Sequence, residues 1–250
     1  MIIDCNVMVG ASINGYSLNP EALLAQMDRL GIDLSVIIPV QPCTYRLEPE
    51  NDYIANLSEK YPDRFVGFAR IDPRLGRESE KELDRCVEGL GLKGLYLNPW
   101  EEGYRANSSF VTSLVKKAGS MKIPVIIAAG FPWVSNALQI GELAEKCRET
   151  NIIMTHGGQL NISGLSQNDA FMALKDNPNL MMDTSGVYRQ DFIEDVIKDI
   201  GSNRVVFGSC SPQFDQEFEL ERAKNAINRN TTSSEMIFSG NIHKLLVNIK

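Results

Sequence analysis

Short apolar runs rich in β-branched residues recur along the whole chain, and each is followed by a stretch with helical spacing. In residues 108–121, for example, Val111, Leu114, Val115 and Ala118 repeat at intervals of three and four. Strands separated by helices indicate parallel pairing. This pattern predicts eight strands, over residues 2–9, 34–40, 65–71, 93–98, 124–129, 151–156, 180–184 and 204–209.

The strand sequences, such as SVIIPV, PVIIAA and RVVFGS, are almost continuously apolar, which is typical of parallel strands buried on both faces. Eight strand and helix units predict an α/β fold of the (β/α)8 TIM-barrel type. A doubly wound open sheet is the alternative, but it usually needs fewer strands, and no GxGxxG pattern follows the first strand. We expect one barrel domain over residues 1–250.

Composition narrows the function classes. The net charge of -7 disfavours nucleic acid and anionic membranes as partners, and no apolar run approaches the roughly 18 residues of a membrane span. The N-terminus lacks the pattern of a signal peptide, so a cytoplasmic protein is expected. The five cysteines are expected to be reduced, with Cys5 pointing towards the helices.

Eight segments, in order, resemble the amidohydrolase-related branch of the amidohydrolase superfamily, which includes metal-dependent hydrolases and decarboxylases of small carboxylic acids. The resemblance extends over nearly the whole chain and implies the same barrel fold. The segments that carry it are IIDCNVMVG, NDYIANLSEKYPDRFVGFARIDP, GLKGLYLNPW, IPVIIAAG, IIMTHGG, NLMMDTSGV, RVVFGSCSP and SGNIHKLL.

The resemblance also shows what this chain has replaced. The family usually holds one divalent ion with two histidines after strand one, a histidine after strand five and an aspartate after strand eight. Those positions are Asn6, Met8, Ala128 and Cys210 here. Asparagine, thioether, thiolate and alanine do not form an ordinary shell for Zn, Mg or Mn. We therefore expect no metal ligand and no cofactor, unless the metal site is unusual.

The histidine that this family places after strand six is retained as His156, in THGG. We interpret His156 as a candidate general base or hydrogen-bonding group, with a purely structural role as the alternative. Cys210 is a candidate nucleophile if His156 lies within hydrogen-bond reach, and a small buried apolar residue otherwise. A lone histidine base contributes about 10²–10⁴-fold, which does not replace the effect of an ion.

Other polar and aromatic residues follow the predicted strands, at the end of the barrel where active sites of this fold are assembled. Arg70 or Arg189 is a candidate partner for a ligand carboxylate, and Asp183 a candidate partner for His156. Packing at the barrel rim is the alternative role. The full set of candidate substrate-binding residues is Asn6, Arg70, Asn98, Trp100, Trp133, Asp183 and Tyr188, with Phe131 beside them.

These observations support three hypotheses. The first is a diverged barrel that lacks the usual metal site, binds a small molecule at its mouth and is catalytically silent or weak. The second is an active hydrolase for a small cyclic ester or carboxylic acid, with His156 as base or Cys210 as nucleophile. The third is a structural partner within a homo-oligomer.

Overall fold

The computed structural model describes residues 1–160, 164–187, 189–227 and 231–247. Its strands are β1 (Ile3–Ala11), β2 (Ser17–Leu18), β3 (Leu34–Pro39), β4 (Phe65–Gly67), β5 (Ala69–Arg70), β6 (Leu95–Leu97), β7 (Val125–Ile127), β8 (Ile152–Met154), β9 (Leu180–Asp183) and β10 (Val205–Val206). Its α-helices are α1 (Pro20–Leu30), α2 (Glu48–Lys60), α3 (Arg77–Asp84), α4 (Pro99–Glu102), α5 (Ser109–Ser120), α6 (Ala137–Lys146), α7 (Gly164–Asp176), α8 (Gln190–Asp199), α9 (Gln216–Ile227), α10 (Thr231–Glu235) and α11 (Asn241–Val247).

The parallel strands close into a barrel. One sheet has the order β2-β1-β3-β4 and the other β10-β9-β8-β7-β6-β5. β4 and β5 form a single barrel strand interrupted at Phe68, whose N–H donates to the carbonyl of Ile37 at 3.0 Å. Between β1 and the last strand, the N–H of Cys5 donates to the carbonyl of Phe207 at 3.0 Å. The predicted (β/α)8 barrel is therefore confirmed.

Local sequence explains where the helices begin and end. Asn19 caps α1 by accepting a hydrogen bond from the N–H of Ala22 at 2.8 Å, and Pro20 occupies the first helical position. Gly31 ends the helix at a φ of 69°, a conformation that glycine adopts without steric cost. Among the described residues, no helix is long and apolar enough to cross a membrane.

Apolar side chains form one layer outside the strands and another inside the barrel. The layer between sheet and helices contains strand residues such as Val7 and Ile37 together with helix residues such as Leu23. The barrel interior contains the alternate strand residues, and α11 adds Ile242 to it. The interior layer comprises Ile3, Cys5, Met8, Val36, Ile38, Val40, Phe68, Tyr96, Ile126, Ala128, Ile153, Met181, Val206, Cys210 and Ile242.

The expectation that Cys5 points towards the helices is wrong, because Cys5 belongs to the interior layer. The register of β1 against β3 shifts between Asp4 and Val7. Such a bulge adds one residue to a strand and changes which side chains face inward. A strictly alternating pattern read from the sequence does not anticipate this shift.

Candidate functional site

The candidate site lies at the end of the barrel where the parallel strands end. The polar residues that follow these strands meet at this face of the barrel. The carboxylate of Glu101, in the short helix α4, is central to it. Glu101 accepts hydrogen bonds from Arg70 Nη2 at 2.5 Å, Asn98 Nδ2 at 2.9 Å, Asn14 Nδ2 at 2.6 Å and the Tyr16 hydroxyl at 3.1 Å. One side chain thus connects residues that follow three different barrel strands.

Asn98 positions this carboxylate through ordinary helix-capping chemistry. Its Oδ1 accepts from the N–H of Glu101 at 3.2 Å, and Pro99 provides the first helical residue of α4. Its Nδ2 then reaches the carboxylate of the same glutamate. The predicted site residue Asn98 is therefore at the mouth, where its recorded contacts orient Glu101.

Arg70 is completely buried at the end of β5. Its Nε and Nη2 donate to Oε1 of Glu102 at 2.9 and 2.6 Å, in addition to the bond to Glu101. Burial raises the pKa of Glu102 to about 7, although the charge of Arg70 acts in the opposite direction. Because two carboxylates of the chain already pair with Arg70, the expectation that it binds a ligand carboxylate is not supported by this arrangement.

A second network surrounds His156, which follows β8 and is buried. His156 has a φ of 57°, which is uncommon for a residue other than glycine. Its N–H donates to Oδ1 of Asp183 at 2.8 Å, and its Nδ1 lies 3.0 Å from the Ser185 hydroxyl. Burial lowers the pKa of His156 to about 4, so the ring is neutral at pH 7.

Asp183 connects this histidine with β1. Its Oδ2 accepts from Asn6 Nδ2 at 3.0 Å, and its Oδ1 also accepts from the N–H and the hydroxyl of Ser185 at 3.0 and 2.7 Å. Burial raises the pKa of Asp183 to about 6, against the hydrogen bonds from Ser185 and Asn6, which lower it. The predicted residues His156, Asp183 and Asn6 therefore lie in one hydrogen-bonded group.

Cys210 is buried in the barrel interior, and its thiol donates to Oε1 of Gln213 at 3.3 Å. Burial raises the pKa of this thiol well above its usual value, and the carboxylates of Asp183 and Asp4 raise it further. The recorded hydrogen bonds pair Cys210 with Gln213 and His156 with Ser185. A dyad of these two predicted catalytic residues stays a prediction, and the buried thiol is held in its protonated form.

The two tryptophans of the chain lie on the rim, with 54% of Trp100 and 76% of Trp133 exposed. Trp100 stacks on Phe131, with ring centroids 5.2 Å apart. Arg189 pairs with Asp191. The remaining candidate, Tyr188, lies outside the described residues.

Several polar residues of the site were not predicted from the sequence. The glutamates in NPWEEGY and the serine in DTSGVYR follow predicted strands, but these residue types are also common in helices and turns. Tyr16 and Gln213 carry no sequence signal, since a loop tyrosine and glutamine are ordinary surface residues. The missed residues are Tyr16, Glu101, Glu102, Ser185 and Gln213.

Comparisons with known proteins agree with this architecture. A sequence model of the amidohydrolase family matches residues 6–246, and the chain therefore belongs to the amidohydrolase family. A gamma-resorcylate decarboxylase from Rhizobium sp. is 22% identical over 209 residues, which cover 65% of this chain and 64% of that protein. A 2-amino-3-carboxymuconate-6-semialdehyde decarboxylase from Dictyostelium discoideum is 24% identical over 132 residues, 48% of this chain and 36% of that protein. The chain thus matches less than two thirds of the length of these relatives.

Solved structures support the same fold at low sequence identity. A dihydroxybenzoic acid decarboxylase from Polaromonas sp., with bound manganese and the inhibitor 2-nitroresorcinol, has a TM-score of 0.76 and 17% identity, with 100% of this chain and 97% of that chain covered. A 5-carboxyvanillate decarboxylase from Novosphingobium aromaticivorans, also with bound manganese, has a TM-score of 0.75 and 17% identity, with 99% and 97% covered.

These structures correct one expectation. Similar barrels contain bound manganese, which points to a metal cofactor in this group of proteins, so the expectation of no cofactor is wrong. At the four positions where the family resemblance places ligands, however, the side chains of this chain do not fit Mn²⁺, which prefers carboxylate, carbonyl and water oxygens. Asn6 offers one neutral amide oxygen, Met8 a thioether that lies 3.5 Å from the Tyr16 hydroxyl, and Ala128 has no donor atom.

The rest of the described chain also offers no suitable group of ligands for a metal site. Within residues 1–160, 164–187, 189–227 and 231–247, no group of three or more histidine, cysteine, aspartate or glutamate side chains is arranged to hold a metal ion. At the fourth position, the thiol of Cys210 donates a hydrogen bond to Oε1 of Gln213.

Proposed function

We propose that this protein binds a small, neutral, hydroxylated organic molecule at the mouth of the barrel, and that its hydrolytic or decarboxylating turnover is absent or weak. The observation that carries the proposal is the side-chain oxygen of Asn6. This atom is buried and has no hydrogen-bond partner in the described part of the chain. Since a buried acceptor without a partner is costly, a ligand that donates a hydrogen bond there is favoured.

The charges around the mouth favour a neutral ligand. The guanidinium of Arg70 is paired with Glu101 and Glu102, and Arg222 is paired with Glu219. Asp4 and Asp183 add two further buried carboxyl groups. Since these two guanidinium groups already have carboxylate partners, moving a ligand carboxylate next to them would incur a large desolvation cost.

The state of the two candidate catalytic residues supports weak turnover. A general base is most effective when its pKa is near the working pH, and burial lowers the pKa of His156 to about 4. A cysteine nucleophile acts as the thiolate, and burial raises the pKa of Cys210. His156 is therefore neutral but only a weak base, and Cys210 is held as the less reactive thiol.

The first experiment compares two probes by calorimetry and by quenching of tryptophan fluorescence, since both tryptophans lie on the rim. The first probe is 2,6-dihydroxybenzoate, the compound for which a structurally similar decarboxylase is named. The second is resorcinol, the neutral product of its decarboxylation. We expect resorcinol to bind more tightly than the benzoate. Tighter binding of the benzoate, or no binding of resorcinol, would contradict the proposal.

A variant locates the probe. Asn6→Leu removes the unpartnered acceptor, so we expect resorcinol binding to weaken about threefold to tenfold, the effect of one hydrogen bond. Asn56→Leu, on the exposed face of α2, is the matched control and should leave binding unchanged. Equal affinities of the two variants would place the probe elsewhere.

Turnover is tested separately by incubating the protein with 2,6-dihydroxybenzoate, with and without added Mn²⁺, and measuring resorcinol by chromatography. We expect no more resorcinol than in the same solution without protein. Protein-dependent formation of resorcinol that is lost in a His156→Gln variant would show that the site is an active decarboxylase.

A hydrolase for a neutral cyclic ester is the second candidate function, because a neutral imidazole at the mouth still has one nitrogen that can accept a proton. Dihydrocoumarin is a suitable neutral probe. Its hydrolysis by the wild type and loss of hydrolysis in His156→Gln, with His243→Gln unchanged, would establish this function in place of simple binding.

A further inference from the structure

The ring of His156 is held from one side by a single residue. Its Nδ1 lies 3.2 Å from the carbonyl oxygen of Ser185 and 3.0 Å from the hydroxyl of the same serine. A carbonyl oxygen only accepts hydrogen bonds. The contact with this oxygen is therefore favourable only when Nδ1 carries a proton.

The serine hydroxyl leads to the same conclusion independently. It lies 2.7 Å from Oδ1 of Asp183, and an ionised carboxylate only accepts. The single hydroxyl proton of Ser185 is therefore directed to Asp183, which leaves the serine oxygen as an acceptor towards His156. Both oxygens of Ser185 thus face Nδ1 as acceptors.

From this geometry we infer that Ser185 is a positioning residue that holds neutral His156 with its proton on Nδ1, so that Nε2 accepts a hydrogen bond from the ligand. The tautomer of a histidine is set by the partner of its other nitrogen, and here that partner is Ser185. The role of Nε2 in ligand binding rests on the proposed function. The tautomer itself does not.

Asp183 makes this arrangement rigid. Its Oδ1 accepts from the N–H of His156 at 2.8 Å and from the N–H of Ser185 at 3.0 Å, in addition to the serine hydroxyl. One carboxylate oxygen therefore fixes both backbones and the hydroxyl between them. Phe214 also contacts the imidazole, with the two rings nearly perpendicular and their centroids 5.6 Å apart.

The ligand-free protein tests the tautomer directly. The chain has only two histidines, so the long-range ¹H–¹⁵N spectrum of protein labelled in its histidine rings contains two ring systems, and His156→Gln assigns them. We expect Nδ1 of His156 to have the chemical shift of a protonated nitrogen and Nε2 that of an unprotonated one. The opposite pattern in the wild type would overturn the inference without any variant.

Variants then test the part played by the serine. Ser185→Ala removes the hydroxyl and should move the averaged shifts of both ring nitrogens towards the Nε2–H form, whereas Ser185→Thr keeps a hydroxyl and should restore them. Ser35→Ala deletes another buried serine hydroxyl, on β3, and should have no effect on the ring. Equal spectra for Ser185→Ala and Ser35→Ala would show that the Ser185 hydroxyl does not set the tautomer.

Resorcinol binding separates this inference from the proposed function. If both hold, Ser185→Ala weakens resorcinol binding about threefold to tenfold, as expected for the loss of one hydrogen bond, and Ser185→Thr recovers it. If the wild type has the predicted tautomer but does not bind resorcinol, the proposed function fails alone. If resorcinol binds while the ring is in the Nε2–H form, the positioning role fails alone.

Discussion

The hydroxyl of Tyr16 lies 3.1 Å from Oε1 of Glu101, so a residue that follows the first barrel strand is hydrogen-bonded across the mouth to one that follows the fourth. Tyr16 also accepts from Gln213 Nε2 at 2.9 Å, and Gln213 in turn accepts from the thiol of Cys210. The mouth is therefore crossed by a continuous hydrogen-bonded connection between strands one, four and eight.

Breaking this connection should reduce stability measurably. Tyr16→Phe removes one donor from Glu101 and one acceptor from Gln213, and we expect the free energy of unfolding in urea to fall by about 1 kcal/mol. Tyr45→Phe alters a tyrosine that is 66% exposed and is the control. If both variants unfold at the same urea concentration, the connection does not contribute to stability.

Arg70 should be one of the most sensitive positions in the protein. Arg70→Met leaves Glu101 and Glu102 without their buried cation, and we expect a loss of about 3–5 kcal/mol in the free energy of unfolding. Arg85→Met breaks partly exposed ion pairs with Asp52 and Glu82 and should cost about 1 kcal/mol or less. Similar losses for the two arginines would show that the buried network is not the reason.

His156 should make stability depend on pH. Burial lowers its pKa to about 4 in the folded protein, whereas the unfolded chain takes up a proton near pH 6.5. Between these values the unfolded state binds more protons, so the stability contributed by the neutral ring is lost as the pH falls from about 6.5 to about 4. A shift of this size corresponds to about 3 kcal/mol.

The carboxyl groups of Asp4 and Asp183 act in the opposite direction, because burial raises the pKa of each to about 6 and their contribution is lost as the pH rises from about 4 to 6. The comparison is therefore made against His156→Gln by urea unfolding at several pH values. The stability of the wild type relative to this variant should increase with pH over this range, and a constant difference would contradict the assigned direction.

Thiol titration tests the unreactive state of Cys210. Cys43 is exposed, and the other four cysteines, Cys210 included, are buried. At pH 8 we expect an aromatic disulfide reagent to label one thiol in the folded protein and five in denaturant, with Cys43→Ser abolishing the fast reaction. Rapid labelling of a second thiol that disappears in Cys210→Ser would instead support a reactive cysteine at the mouth.

Much of the candidate site followed from residue types and strand ends. The apolar runs predicted the strands that bring His156, Asp183 and Cys210 to one face of the barrel. The partners of these residues could not be predicted in the same way. Ser185 and His156 are 29 positions apart in the sequence, and Asn6 and Asp183 are 177 apart. No local sequence pattern predicts contacts between residues so far apart in the chain.

The barrel and the family could be predicted from the sequence, because periodicity and motifs are local properties of the chain. The replacement of the usual metal ligands at Asn6, Met8, Ala128 and Cys210 stays a prediction. The three-dimensional structure was needed to show that Arg70 is paired with Glu101 and Glu102, that a bulge turns Cys5 inward, and that Ser185 contacts His156. These features depend on how strands separated in sequence meet at one end of the barrel, where burial and hydrogen bonding set the charge and proton position of each group.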